Sequence, residues 1–152
     1  MQLFILAVGK GRGSAEHRLA EYWLERLPDG GSIYEIESKL PAGAKRTDDE
    51  GMRLLRAVPS GAALAILDPR GKDHSSEDLA ALIGAWRDNG HGSAAFAIGG
   101  ADGHAAHIRQ KAMHTISFGR ATWPHMLCRA MLAEQLYRAS MILARHPYHR
   151  GN

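Results

Sequence analysis

The chain has 152 residues, 45% of them hydrophobic and 23% charged, ordinary values that fit one domain with a substantial core and exclude extended disorder. Its single cysteine, Cys128, rules out an intrachain disulfide framework and any zinc site built on several cysteines, and it fits a reducing, cytoplasmic setting. The net charge of +3 hides an asymmetry: residues 105–152 carry seven Lys/Arg against one acid, Glu134, for +6, while residues 1–104 carry twelve basic against fifteen acidic residues, for −3.

A basic C-terminal third points to a polyanionic partner. At the other end, Met1 to Val8 is apolar but lacks a basic leader, and Lys10 and Arg12 follow at once. That run is too short to span a membrane and reads as a first strand, Leu3 to Val8. The glycine-rich loop Gly9-Lys10-Gly11-Arg12-Gly13 leads to a helix with Ser14 as cap and Leu19, Tyr22, Trp23 and Leu27 on one stripe. Pro28-Asp29-Gly30-Gly31 ends it, Ser32 to Glu37 is a second strand, and Lys39 to Arg46 is a basic loop. Thr47-Asp48-Asp49-Glu50 has the form of a capping box, followed by Met52, Leu55 and Val58 until Pro59 and Gly61 stop the helix.

Ala62 to Leu67 is a third strand, closed by Asp68-Pro69-Arg70-Gly71-Lys72. Ser75 or Ser76 caps a helix whose Leu79, Leu82, Ile83 and Trp86 share a face, and Asn89-Gly90-His91-Gly92 ends it. Ala94 to Ile98 is a fourth strand, His104 to Ala112 a short helix, and Thr115 to Phe118 a fifth strand. The longest helical pattern runs from His125 to about Ala144. Its Met131, Leu132, Leu136, Met141, Ile142 and Leu143 make an apolar surface too wide for one stripe, which means full burial or an oligomer interface. This alternation predicts an α/β fold, a mainly parallel sheet with helices on both faces.

Ligands of such sheets bind outside the carboxyl ends of the strands. Three loops leave those ends, after Leu67, Ile98 and Phe118. Ile98-Gly99-Gly100-Ala101-Asp102-Gly103 matches neither a dinucleotide fingerprint nor a phosphate loop. It is either a tight strand-to-helix turn or a close backbone approach to a ligand. In Gly119-Arg120-Ala121-Thr122-Trp123-Pro124 the Trp123 ring either pins the last helix to the sheet or walls a cofactor. Glu134 and Arg138 sit at helical i, i+4 spacing, as in a plain surface ion pair. In the tail His146-Pro147-Tyr148-His149-Arg150, Tyr148 suits base stacking and Arg150 a phosphate, whereas the two histidines lack the partners a metal site requires.

Taken together, Leu67-Asp68-x-x-Gly71-Lys72, Ile98-Gly99-Gly100-x-x-Gly103, Pro124-His125-x-x-x-Arg129, Glu134-Gln135-x-Tyr137-Arg138-Ala139 and the terminal Tyr148-His149 closely resemble the RlmH family of SPOUT-class methyltransferases. The likeness covers nearly the whole chain and implies a single domain over 1–152 whose C-terminal segment threads into a trefoil knot. It implies S-adenosyl-L-methionine as cofactor, held by Leu67, Gly99, Gly100, Phe118, Gly119, Arg120, Ala121, Thr122 and Trp123. The activity it implies is methylation of N3 of a pseudouridine in 23S ribosomal RNA, on the ribosome, by a cytoplasmic homodimer without metal. The acceptor N–H must lose its proton, so a base is expected among His149, Tyr148 and His125. Arg129, Arg138, His146, Tyr148, His149 and Arg150 are expected to meet the RNA. Two other readings stand beside this one: a nucleotide-binding enzyme of another fold, and a non-catalytic RNA-binding assembly factor. The missing phosphate motif speaks against the first, and the intact glycine loops against the second.

Overall fold

The computed structural model describes residues 1–150. Five strands, β1 (Gln2–Val8), β2 (Gly31–Ile36), β3 (Ala63–Asp73), β4 (Ser93–Ile98) and β5 (His114–Ser117), form one sheet in the order β2-β1-β4-β3-β5. All its pairings are parallel. The helices are α1 (Ala15–Leu24), α2 (Ala44–Ala57), α3 (Ser76–Asp88), α4 (Ala106–Lys111) and α5 (His125–Leu143), with a 3-10 turn at Pro147–Arg150.

The strands alternate which face they feed. Leu3, Ile5, Ala65, Phe96 and Ile116 meet α1, α3 and α5 on one side, where Ala20, Leu24, Leu79, Ile83, Leu132 and Leu136 are buried. Leu6, Ile66, Ala95 and Ala97 meet Leu54 of α2 and Ile108 of α4 on the other. Each fully buried Leu, Ile or Phe contributes roughly 1.5–3 kcal/mol, so this three-layer core dominates the stability of the fold. Among the described residues no helix is long and apolar enough to cross a membrane. Nor do three His, Cys, Asp or Glu side chains gather there as a metal site requires.

Element order and helix placement match the expectation, and two details differ. Helix α2 begins at Ala44, with Gly43 and not Thr47 at its cap. The Thr47 hydroxyl donates back to the Gly43 carbonyl, and Glu50 turns inward beside Gly100 rather than back to the helix start. Strand β3 does not stop at Leu67. It resumes beyond Pro69, because Leu67 and Lys72 both pair with Ile116 of β5 and residues 68–71 bulge between them. The cap of α3 is Ser75, whose hydroxyl accepts from the Asp78 amide while the Asp78 carboxylate accepts from Ser75.

Candidate functional site

The bulge of β3 at Leu67 to Pro69 and the carboxyl ends of β4 and β5 open into a cleft of about 260 Å³. Leu67, Gly99, Gly100, Phe118, Gly119, Arg120, Ala121, Thr122 and Trp123 all line it, so the three loops singled out by strand order converge on one space. Asp68, Ile98, His104, Ile116, His125 and Cys128 complete the wall.

The glycine loop is shaped by its own backbone. A Cβ on Gly99 would lie 2.9 Å from the Gly103 carbonyl oxygen, and one on Gly100 would lie 2.9 Å from Glu50 Oε2. Glycine is therefore required for the loop to close on itself. The loop is tied on both sides. Arg46 of α2 reaches Asp102 at 3.3 Å, and His104 Nε2–H donates to the Leu67 carbonyl at 3.0 Å. That bond fixes the His104 proton on Nε2 and joins the β4 loop to β3 at the start of its bulge. Burial holds the His104 pKa below its usual value, partly countered by the Asp68 charge. Sequence reading passed over His104, which follows the loop motif and has no periodicity to mark it.

Asp68 is almost fully buried, and its carboxylate accepts from Arg70 Nε at 3.0 Å and pairs with the Arg109 guanidinium, whose Nη1 lies 2.8 Å away. Two guanidinium partners leave it no role as a free base. In the β5–α5 loop the Trp123 indole N–H donates to the Phe118 carbonyl at 3.0 Å. The ring is 39% exposed and lies on the cleft. It walls the space and does not pin α5 to the sheet. Helix α5 then starts with His125 on the cleft and Cys128 one turn later. Burial pushes the Cys128 thiol up, so it is a protonated wall residue and not a nucleophile.

The three candidate bases are not brought together. His125 lies in the cleft, while Tyr148 and His149 fold back on their own chain elsewhere. Tyr148 packs edge-on against Trp23 and Tyr137, with the Arg138 guanidinium over its ring. Its hydroxyl donates to Glu134 at 3.0 Å. Burial, then the Glu134 bond, push the phenol pKa up, which disfavours a phenolate base in this arrangement. His149 Nε2 meets Glu77 at 2.7 Å. His146 accepts the Tyr148 amide, and His146 and Arg150 are exposed.

Arg138 bonds Glu134 at the expected spacing, but Tyr148 joins the pair, so it is more than a surface bridge. The expectation for Arg129 as an RNA contact is corrected. Its side chain has no exposure, and its guanidinium donates to Glu35 at 2.8 Å and to the Val8 and Gly9 carbonyls at 2.9 and 2.8 Å. A second, wider cleft of about 590 Å³ adjoins the first through Phe118 and Gly119. It runs past Leu19 and Trp23 of α1, His74 and Ser75, and Leu127, Met131 and Glu134 of α5.

Known proteins of the same kind are many. A family described as "Predicted SPOUT methyltransferase" matches residues 1–149. The protein named ribosomal RNA large subunit methyltransferase H from Paramagnetospirillum magneticum is 47% identical over 151 residues, covering 99% of this chain and 99% of its own. The protein of that name from Rhodospirillum centenum is 47% identical over 152 residues, covering 99% of this chain and all of its own. Among solved structures, that of "a probable methylase family protein" from Haemophilus influenzae superposes with a TM-score of 0.59 at 9% identity, over 94% of this chain and 66% of that one. Such a distant likeness speaks to the fold alone. With residues 1–149 matched, this chain belongs to the SPOUT methyltransferase family.

Proposed function

We propose that this chain methylates large-subunit ribosomal RNA at N3 of a pseudouridine, with S-adenosylmethionine as the methyl donor. The observation that carries the reading is the convergence of the three loops in one cleft, in a chain 47% identical throughout to proteins named as large-subunit ribosomal RNA methyltransferases.

The residues fit the donor. Leu67, Ile98, Ile116, Phe118 and Trp123 give flat apolar walls, and the glycine loop sets bare backbone between them. Adenine with a polar rim suits such a space. Held between these walls, S-adenosylmethionine would supply an electrophilic methyl for the ring nitrogen and leave as a neutral thioether. The protein's work is to position the acceptor in line with the methyl–sulfur bond and to take up its N3 proton. His125 is the candidate base that the fold itself puts in the cleft.

The chain acts as a homodimer in this reading. Leu19 and Tyr22 are 46% and 44% exposed on α1, and Leu127 and Met131 are only half-buried on the neighbouring α5. A second copy would cover this face, and its tail would supply Tyr148 and His149, which one chain holds away from its own cofactor cleft. Action on the ribosome places the protein in the cytoplasm. The trefoil knot in the C-terminal segment belongs to the same proposal, and an experimental trace through residues 114–150 checks it.

The test is transfer of labelled methyl from S-adenosylmethionine to ribosomes lacking the modification, with the label mapped on the RNA. Label on one large-subunit pseudouridine is expected; no label, or label elsewhere, refutes the assignment. Sedimentation at micromolar concentration checks the dimer, and a fully active monomer would remove it.

A further inference from the structure

The loop between β1 and α1 lies outside the cofactor cleft, and no part of the mechanism above uses it, yet the fold goes to unusual lengths to shape it. Arg129, buried in the heart of the protein, holds the Val8 and Gly9 carbonyls. Glu35, its ion-pair partner, accepts the Gly11 amide at 2.6 Å. The buried His17 sits 3.4 Å from the same carboxylate oxygen. A Cβ on Gly11 would strike Met126 and the Arg129 guanidinium, so the chain here is pressed onto the first turn of α5. Gly9 and Gly13 take φ of 99° and 91°, a region open to glycine at little cost. At the far end the Arg18 guanidinium donates to the Gly13 carbonyl at 2.8 Å and closes the loop.

What this brace presents to solvent is basic. Lys10, Arg12 and Arg18 are all exposed, in a part of the chain that is otherwise net acidic. Lys10 meets Glu37 at 3.0 Å, but both ends of that pair lie in water, where such a pair contributes little and yields readily to a phosphate. The position is as informative as the charge. Strand β1 pairs with β4 up to Ala7 and Ile98, so the loop leaves the sheet beside the glycine loop of the cleft. A Cβ on Gly100 would lie 3.2 Å from Val8 Cγ1. The first turn of α5 connects the two directly: His125 and Cys128 line the cleft, while Met126 and Arg129 abut Gly11.

We propose that this loop is a docking surface for the ribosomal RNA backbone, with Lys10, Arg12 and Arg18 meeting phosphates at the edge of the cofactor cleft. The inference rests on the proposed function and adds to it an RNA-binding surface outside the basic C-terminal third. The brace explains how the loop contributes to affinity. A surface held rigid before binding loses less conformational freedom when it binds. Phosphates near the acceptor nucleotide, gripped there, would be held in register with the cleft.

The test compares wild type with Lys10→Gln/Arg12→Gln, using ribosomes lacking the modification and S-adenosylmethionine as probes. Neutralising one phosphate-binding side chain weakens binding by roughly tenfold at 0.1 M salt and flattens the plot of log affinity against log salt by roughly 0.7–0.9. The double variant should therefore raise KM for ribosomes, flatten the salt slope by about 1.5, and leave S-adenosylmethionine affinity and melting temperature unchanged. Lys10→Arg/Arg12→Lys should behave as wild type. An unchanged salt slope overturns the docking surface. So does a variant that also loses cofactor affinity, since the loop would then act through the brace and not through RNA. A wild type that labels no ribosomal RNA overturns the proposed function instead, and the docking surface with it.

Discussion

Replacing Arg129 by methionine removes the guanidinium that joins the start of the chain to its last helix. Three acceptors lose their donor together: the Glu35 carboxylate and the Val8 and Gly9 carbonyls. Removing one member of a buried ion pair costs about 3–5 kcal/mol. Glu35 is 21% exposed, so water reaches it and the lower end, about 3 kcal/mol, applies. Each stranded carbonyl adds about 1 kcal/mol, and the buried methionine offsets about 1–2 kcal/mol through its apolar surface. The net loss is about 3–4 kcal/mol, which lowers the melting temperature of a chain this long by about 6–16 °C. Denaturant melts of the wild type, Arg129→Met, Glu35→Gln and the double variant measure it. The double variant should lose less than the two single losses combined, because each removes the same bond. An Arg129→Met chain within about 1 kcal/mol of wild type would refute the brace.

Gly99→Ala places a methyl 2.9 Å from the Gly103 carbonyl and 3.2 Å from His104 Nδ1. Cofactor affinity should fall about tenfold or more, or about 1.4 kcal/mol, and unchanged affinity by calorimetry would separate loop closure from the cleft. Glu50 offers a pH test: burial, opposed in part by Arg46, holds its carboxyl above the usual 4.5. The folded chain thus takes up that proton more readily than the unfolded one, and wild type loses stability as pH rises above 4.5 through the raised value. Glu50→Gln should be the more stable chain at about pH 7, with the gap closing below 4.5; a gap that stays constant with pH refutes the buried charge.

The alternation of elements and the cofactor loops were legible because both are local. Period-two and period-3.6 patterns mark the strands and helices, and strand order alone says where ligands bind. Departures arise where a residue's partner is distant in sequence. Arginine in a basic segment reads as a surface group, and nothing in its spacing announces Glu35, 94 residues earlier. Thr47 lost the helix start to Gly43 because Glu50 is drawn inward to Gly100, a neighbour only the folded sheet provides. Pro69 reads as the end of a strand, yet β3 resumes beyond it because β5 offers a second register. The tail reads as poised for RNA, with Tyr148 suited to stack on a base, but packed α1 and α5 present Trp23 and Tyr137, against which Tyr148 settles.

The Arg129 brace also orders events in time. It bonds Val8 across 121 residues, so the β1–α1 loop cannot take its final shape while the chain is still being made. At about 5–20 residues per second, translation leaves Val8 waiting about 6–24 s for Arg129. Through that interval Glu35 has the Gly11 amide but lacks its guanidinium partner, and the Gly9 carbonyl lacks its Arg129 donor. The first loop of the sequence is thus among the last pieces of the fold to be finished.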